Sequence, residues 1–203
     1  MDANQKNSLL DFGTFSLNSR YKSIADLYLA YGNKEYCIDL GCGYVKPAGF
    51  IGIDNLCGED TQIPNDKNSP DILMNLDSGR IPFEDNSCKE VRSSHFLEHS
   101  QLSHIINESH RVLHPGGIFL FAVPYANSAE GMYPGHTQFL TEKWFYENIT
   151  FREKFKIEHE QYFPSNYWLA LPRLVQWAIP FTFARTFLFN ACSQMILTCR
   201  AIK

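Results

Sequence analysis

The sequence has no hydrophobic run long enough to cross a bilayer: the longest uncharged stretch of its apolar C-terminal region, Leu174 to Ala184, falls well short of the ~20 residues that a spanning helix needs. It has no excess of positive charge. The 18 Lys and Arg face 22 Asp and Glu, and the cations are scattered rather than striped, which argues against nucleic acid as a main partner. The cysteines, at 37, 42, 57, 88, 192 and 199, lack the close pairs of a zinc site, and at 203 residues the chain can bury a core without disulfide staples. Met1 to Ser8 is polar and lacks the apolar centre of a secretory signal. No internal repeat or low-complexity tract appears. These absences predict one soluble, cytoplasmic domain over 1–203, with no metal and with reduced, mostly buried thiols.

What is present begins with Asp39-Leu40-Gly41-Cys42-Gly43, which follows the apolar run Tyr36-Cys37-Ile38 and places a carboxylate and two glycines where a strand leaves a sheet. A second strand-like run, Phe50-Ile51-Gly52-Ile53, ends in Asp54, so two acids are expected at one edge of a parallel sheet. A dinucleotide pyrophosphate is better met by backbone N–H groups than by a carboxylate in the loop, and Lys46 stands where its third glycine would be. S-adenosylmethionine has an amine and a ribose diol but no phosphate, so it suits two acids better. On these residues alone, a plain glycine turn after a core strand remains open.

Periodicity predicts a helix over about Ser19 to Tyr31, strands at Asp71–Asn75 and Cys88–Ser93, and a helix from Ser100 to Leu113 capped by Ser100. His114-Pro115-Gly116-Gly117 should end that helix, and Ile118–Val123, apolar on both faces, reads as a central strand. A short helix over Thr141–Asn148 and closing strands over Phe155–Phe163 and Met195–Ile202 follow. Only nine residues separate Leu40 from Phe50, too few for a crossover helix, and the Asn55 to Pro70 stretch reads as a surface loop. Loops should therefore replace helices on part of one face.

In this order the chain resembles the class I S-adenosylmethionine-dependent methyltransferases, particularly the branch called methyltransferase type 11. Four blocks carry the likeness: Asp39–Gly43; Ile51-Gly52-Ile53-Asp54; Asn75-Leu76-Asp77 with Ile81-Pro82-Phe83-Glu84-Asp85-Asn86-Ser87; and Arg111-Val112-Leu113-His114-Pro115-Gly116-Gly117. The resemblance implies an α/β Rossmann-like fold with a mostly parallel seven-stranded sheet and an antiparallel closing strand. It divides the domain into a helical lead-in (1–35), a donor-binding half (36–124), and an acceptor-side lid with closing strands (125–203). It implies S-adenosylmethionine as donor and S-adenosylhomocysteine as product. Asp39 would face the methionine amine through backbone or water, Gly41 and Gly43 would admit the donor to the main chain, and Asp54 would accept from the ribose hydroxyls. Leu76 would cover the adenine and Asp77 would accept from its exocyclic amine, with Cys42, Asn55, Ser94 and His95 as further donor contacts.

Ser94-His95-Phe96-Leu97-Glu98-His99 spells the His-x-x-Glu-His form of inverted zinc peptidases, but His95 follows a strand directly, so the sequence favours a non-metal reading. His95, at the end of a strand, and Tyr125, after the next one, are candidate catalytic residues. The resemblance, in which a Pro-x-His-x-x-x-Phe element lines the acceptor pocket, implies His136, in Tyr133-Pro134-Gly135-His136-Thr137-Gln138-Phe139, as general base or acceptor-orienting group, with a locally bonded surface-loop histidine as the alternative. The expected reaction is direct methyl displacement onto an oxygen or nitrogen of a small-molecule acceptor, with a sugar or secondary metabolite as the guess. A non-catalytic donor-binding scaffold and, less favoured, a nicotinamide oxidoreductase are the competing readings. The aromatic segment from Phe139 to Phe189 is expected to form lid and core, with a homodimer or partner face as its sharper use.

Overall fold

A computed structural model describes residues 15–32, 35–55 and 69–203. Most of the 55–70 loop, Cys57 and the Met1 to Ser8 segment lie outside the described residues.

The chain runs β1 (Phe15–Leu17), α1 (Ile24–Tyr31), β2 (Tyr36–Leu40), β3 (Ile51–Asp54), β4 (Ile72–Met74), β5 (Cys88–Ser94), a 3-10 turn (Leu97–His99), α2 (Leu102–Val112) and β6 (Leu113–Pro124). It continues through α3 (Glu142–Glu147), α4 (Ile149–Lys154), β7 (Phe155–Pro164), the short helices α5 (Asn166–Leu169), α6 (Arg173–Ala178) and α7 (Phe181–Phe187), and β8 (Cys192–Ala201). The strands form one sheet in the order β1-β4-β3-β2-β5-β6-β8-β7. The pairs from β4 to β6 are parallel, and β8 inserts antiparallel between β6 and β7. Among the described residues the expected architecture is present with one addition: the sheet has eight strands rather than seven, because Phe15–Leu17 adds antiparallel to β4.

Local chemistry accounts for most boundaries. Ser23 caps α1 by accepting from the Asp26 amide, and Gly32 ends it at φ 82°. Ser100 does not cap α2, contrary to the sequence expectation, since its hydroxyl donates to the Leu97 carbonyl. The amide of Gln101, the residue just before the helix, is met instead by the Asp77 carboxylate, 2.6 Å away. Residues 114–117 do not stand outside the strand as a turn. They bulge within β6, where Leu113 pairs with Cys88 and Ile118 with Glu90.

The core lies largely on one face of the sheet. Ile38, Leu40, Val91, Phe119, Phe121, Leu197 and Cys199 are fully buried there, and α3 and α4 cover it through Phe145 and Phe151, whose rings pack on Phe121. The cysteines of the described residues are free thiols, buried except for half-buried Cys37. No described helix is long and apolar enough to cross a membrane.

Candidate active site

The carboxyl ends of β2 and β3 lie side by side, with Leu40 paired to Ile53. Beyond β2 the chain turns through Gly41 at φ 67° and Gly43 at φ 52°, a backbone region that glycine enters without strain. The Gly41 and Cys42 amides donate to the Ile53 carbonyl, and the Gly43 amide donates to Asp54 Oδ2 at 2.7 Å. The loop and Asp54 thus hold each other, with Asn55 exposed just beyond. A Cβ on Gly41 would meet Phe96 Cγ at 2.2 Å, so this glycine is required by the chain's own packing as well as by any ligand.

Asp39 is fully buried, and both its carboxylate oxygens accept from Arg92 Nη1, at 2.9 and 2.8 Å. The two residues are register partners on β2 and β5, so their side chains leave the sheet on the same face. Burial pushes the Asp39 carboxyl up to about 6, against the pull of Arg92. The sequence reading missed Arg92, whose only signal is its place two residues before Ser94. Arg92 and Ser94 also line a cavity of about 140 Å³ with Ser93, Leu120, Ala122, Gln194 and Ile196.

Lys46, at the position of the missing third glycine, turns inward. Its ammonium lies 2.5 Å from Asp71 and 2.7 Å from the Tyr31 hydroxyl. Asp71, fully buried, also accepts from the Gly52 amide, Arg20 and the Tyr21 and Tyr31 hydroxyls. This knot ties the short β2–β3 connection to the start of β4 and replaces a crossover helix with buried ionic contacts.

The adenine-side block differs from expectation. Leu76 is 2% exposed and packed in the core, so it offers no open face to a base. Asp77 is exposed, but one of its oxygens is taken by the start of α2. The block around Ile81–Asp85 is clamped by Arg111, which donates to the carbonyls of Ile81 and Phe83 and to Glu108 and Asp85. Two of the four sequence blocks therefore recognise each other. The Arg111 guanidinium also holds the Asp85 carboxyl below the usual range.

On the other side of β5, His95 sits at φ 53°, with its amide donating to the Ala122 carbonyl. Its ring bridges Gln194 Oε1 at 2.8 Å and Glu98 Oε1 at 3.6 Å, and the Glu98 carboxylate raises the imidazole above its ordinary value. His136 packs edge-on against His99, ring centroids 4.6 Å apart. The loop carrying it is bonded to the 3-10 turn, since the Thr137 and Gln138 amides donate to the Glu98 carbonyl. Tyr125 is buried elsewhere. Its hydroxyl donates to Glu142 at 2.9 Å and accepts from Arg185, and burial pushes it up to about 12. Tyr125 thus anchors α3 and α7, which corrects its expected catalytic role.

Residues 27–121 match the Methyltransferase domain family. Over those residues the chain resembles the class I methyltransferases of the type 11 branch. Solved structures agree on the fold. A SAM-dependent methyltransferase from Archaeoglobus fulgidus superposes with TM-score 0.62 at 12% identity, over 86% of this chain and 90% of its own. A Thermotoga maritima enzyme described as a "possible histamine N-methyltransferase" gives 0.52 at 14% identity, over 87% and 89%. A chain from the Haloferax volcanii complex of a methyltransferase with its activator Trm112 gives 0.50 at 19% identity, over 87% and 88%. No curated protein matches the sequence.

The methyltransferase uses S-adenosylmethionine as donor, and the β2–β3 edge fits it. Asp54 stands beside a glycine turn, an arrangement suited to a ribose diol and ill suited to a pyrophosphate, while the Asp39 carboxylate is buried and held by Arg92. When bound, the donor supplies a sulfonium-activated methyl group.

Proposed function

We propose that this methyltransferase moves the methyl group to an oxygen or nitrogen atom of a small-molecule acceptor by direct displacement, with His136 and His95 on the acceptor side, Asp54 on the ribose, and Asp39 with the glycine turn at the methionine end. The sulfonium is already a good leaving group, so the protein has to align acceptor, methyl and sulfur and exclude water. The observation that carries the acceptor side is the 3.1 Å hydrogen bond of His136 Nδ1 with the Gly131 carbonyl. As a donor to that carbonyl, Nδ1 holds the proton of the neutral ring. The lone pair is then on Nε2, as a group accepting an acceptor's proton requires.

The test is S-adenosylhomocysteine release from pooled hydroxyl and amine acceptors. His136→Ala should lower kcat at least tenfold, and by ~10²–10⁴-fold if it contributes as proton-transfer groups typically do, while leaving the donor Kd within twofold. Unchanged turnover would remove His136 from the reaction.

The exposed apolar side chains of α6 and α7, including Leu174 at 73%, Trp177 at 82% and Phe187 at 68%, support contact with a second copy of the chain. Light scattering on the wild type and Trp177→Glu checks this, a monomer in both excluding it.

A further inference from the structure

We propose that Glu98, His99 and His136 form a binding site for a divalent cation of the zinc class. One ligand atom from each lies within 4.8 Å of the others. Tetrahedral bonds of ~2.1 Å would draw the ligand atoms to about 3.4 Å apart. That closure brings the exposed His99 and half-buried His136 toward Glu98 together with the carbonyls that hold them.

Three observations make this more than a meeting of surface groups. Glu98 is 1% exposed, and its Oε2 is buried without a hydrogen-bond partner, a state that a cation would relieve. Both histidines hold a backbone carbonyl at Nδ1: His99 that of Gly135 at 3.0 Å, and His136 that of Gly131 at 3.1 Å. In the neutral ring this bond fixes the proton on Nδ1 and leaves the Nε2 lone pair for a metal, the arrangement by which ligating imidazoles are oriented. Finally, the Glu98 carbonyl accepts from the Thr137 amide at 2.8 Å and the Gln138 amide at 3.0 Å, so the main chain of one ligand holds the loop that carries another.

The peptidase-like spelling misleads about which residues take part. On a helix, His95 and His99 would share a face. Here residues 97–99 form a 3-10 turn after a strand, and His95 is bonded to Gln194 and faces Glu98 from the side. The third ligand comes from the loop after β6. Two imidazoles and a carboxylate suit zinc, cobalt or nickel better than magnesium or calcium, and three protein ligands leave a position open. The use of that position by an acceptor oxygen rests on the proposed small-molecule acceptor, with the His136 Nε2 lone pair then held by the cation instead of serving as base. The binding site itself does not.

The experiment uses the whole chain, stripped with chelator, titrated with Zn²⁺ by calorimetry and with Co²⁺ by visible absorption. One equivalent should bind at micromolar Kd or tighter, with the absorption of four-coordinate cobalt. His99→Ala and His136→Ala should each weaken binding at least tenfold, whereas His159→Ala on β7 should leave it unchanged. Neither ligand histidine is buried, so both variants should fold; Glu98→Gln, at a buried position, is read only with matching circular dichroism. Absence of stoichiometric binding, or binding unaffected by both histidine variants, overturns the proposal. S-adenosylhomocysteine titration and methyl transfer, measured separately, keep its failure distinct from failure of the acceptor reading.

Discussion

Lys46 Nζ lies 2.5 Å from Asp71 Oδ2, with the two side chains 4% and 0% exposed. Removing one partner of such a pair strands a buried charge, which costs ~3–5 kcal/mol. Arg20 also reaches Asp71, so Lys46→Met should lose about 3 kcal/mol, the low end of that range, in urea unfolding. A loss under about 1 kcal/mol, the scale of an exposed pair, would mean that water reaches the carboxylate.

Gly52 faces the same knot. A Cβ there would stand 2.6 Å from Cys42 Sγ and 2.9 Å from Lys46 Cδ, so Gly52→Ala must displace the loop that follows β2. The expected penalty is that of overpacking, ~1–3 kcal/mol. Donor affinity should fall with it, because Cys42 belongs to the donor turn. Calorimetry with S-adenosylhomocysteine and thermal unfolding read the two effects independently.

Asp39 gives the protein an unusual pH dependence. Its folded-state carboxyl is raised from 3.8 to about 6, so the folded chain holds the proton more tightly than the unfolded one. The stability this group contributes is therefore fully present below about 4 and is lost as pH rises through about 6, an effect on the order of 2–3 kcal/mol. Unfolding free energies from pH 4 to 7 should show that component in the wild type and not in Asp39→Asn.

Asp54→Ala removes the carboxylate assigned to the ribose and frees the Gly43 amide that it holds at 2.7 Å. Hydrogen bonds to a charged group contribute ~1.5–3 kcal/mol, so S-adenosylhomocysteine should bind about 10-fold to 100-fold more weakly. Retention of wild-type affinity would place the ribose elsewhere. NAD should not bind either protein.

The strands and the donor edge were legible because their signals are local: apolar runs ending in Asp39 and Asp54, with glycines where the chain must turn. Phe15–Leu17 was not legible, since a three-residue strand is set by pairing with Ile72–Met74 rather than by any period of its own. Nor was Arg92, whose role exists only through its register with Asp39. Leu76 and the Ile81–Asp85 block were assigned to the adenine by resemblance. Burial and the Arg111 clamp instead tie them to the core and to α2. The Glu98, His99 and His136 cluster was hidden by chain distance, because its third member arrives on a different loop.

The two ends of the sheet are protected by opposite means. On one side the parallel strands finish against β1, whose described residues, Phe15–Leu17, offer an incoming strand few backbone groups to pair with. The other margin, β7, is ten residues long but carries exposed Lys156, Glu158 and His159, which penalise a second apolar strand laid beside it. Growth of the sheet from chain to chain is thereby disfavoured at both ends, and any self-association is directed to the side chains of the C-terminal helices instead of to open backbone.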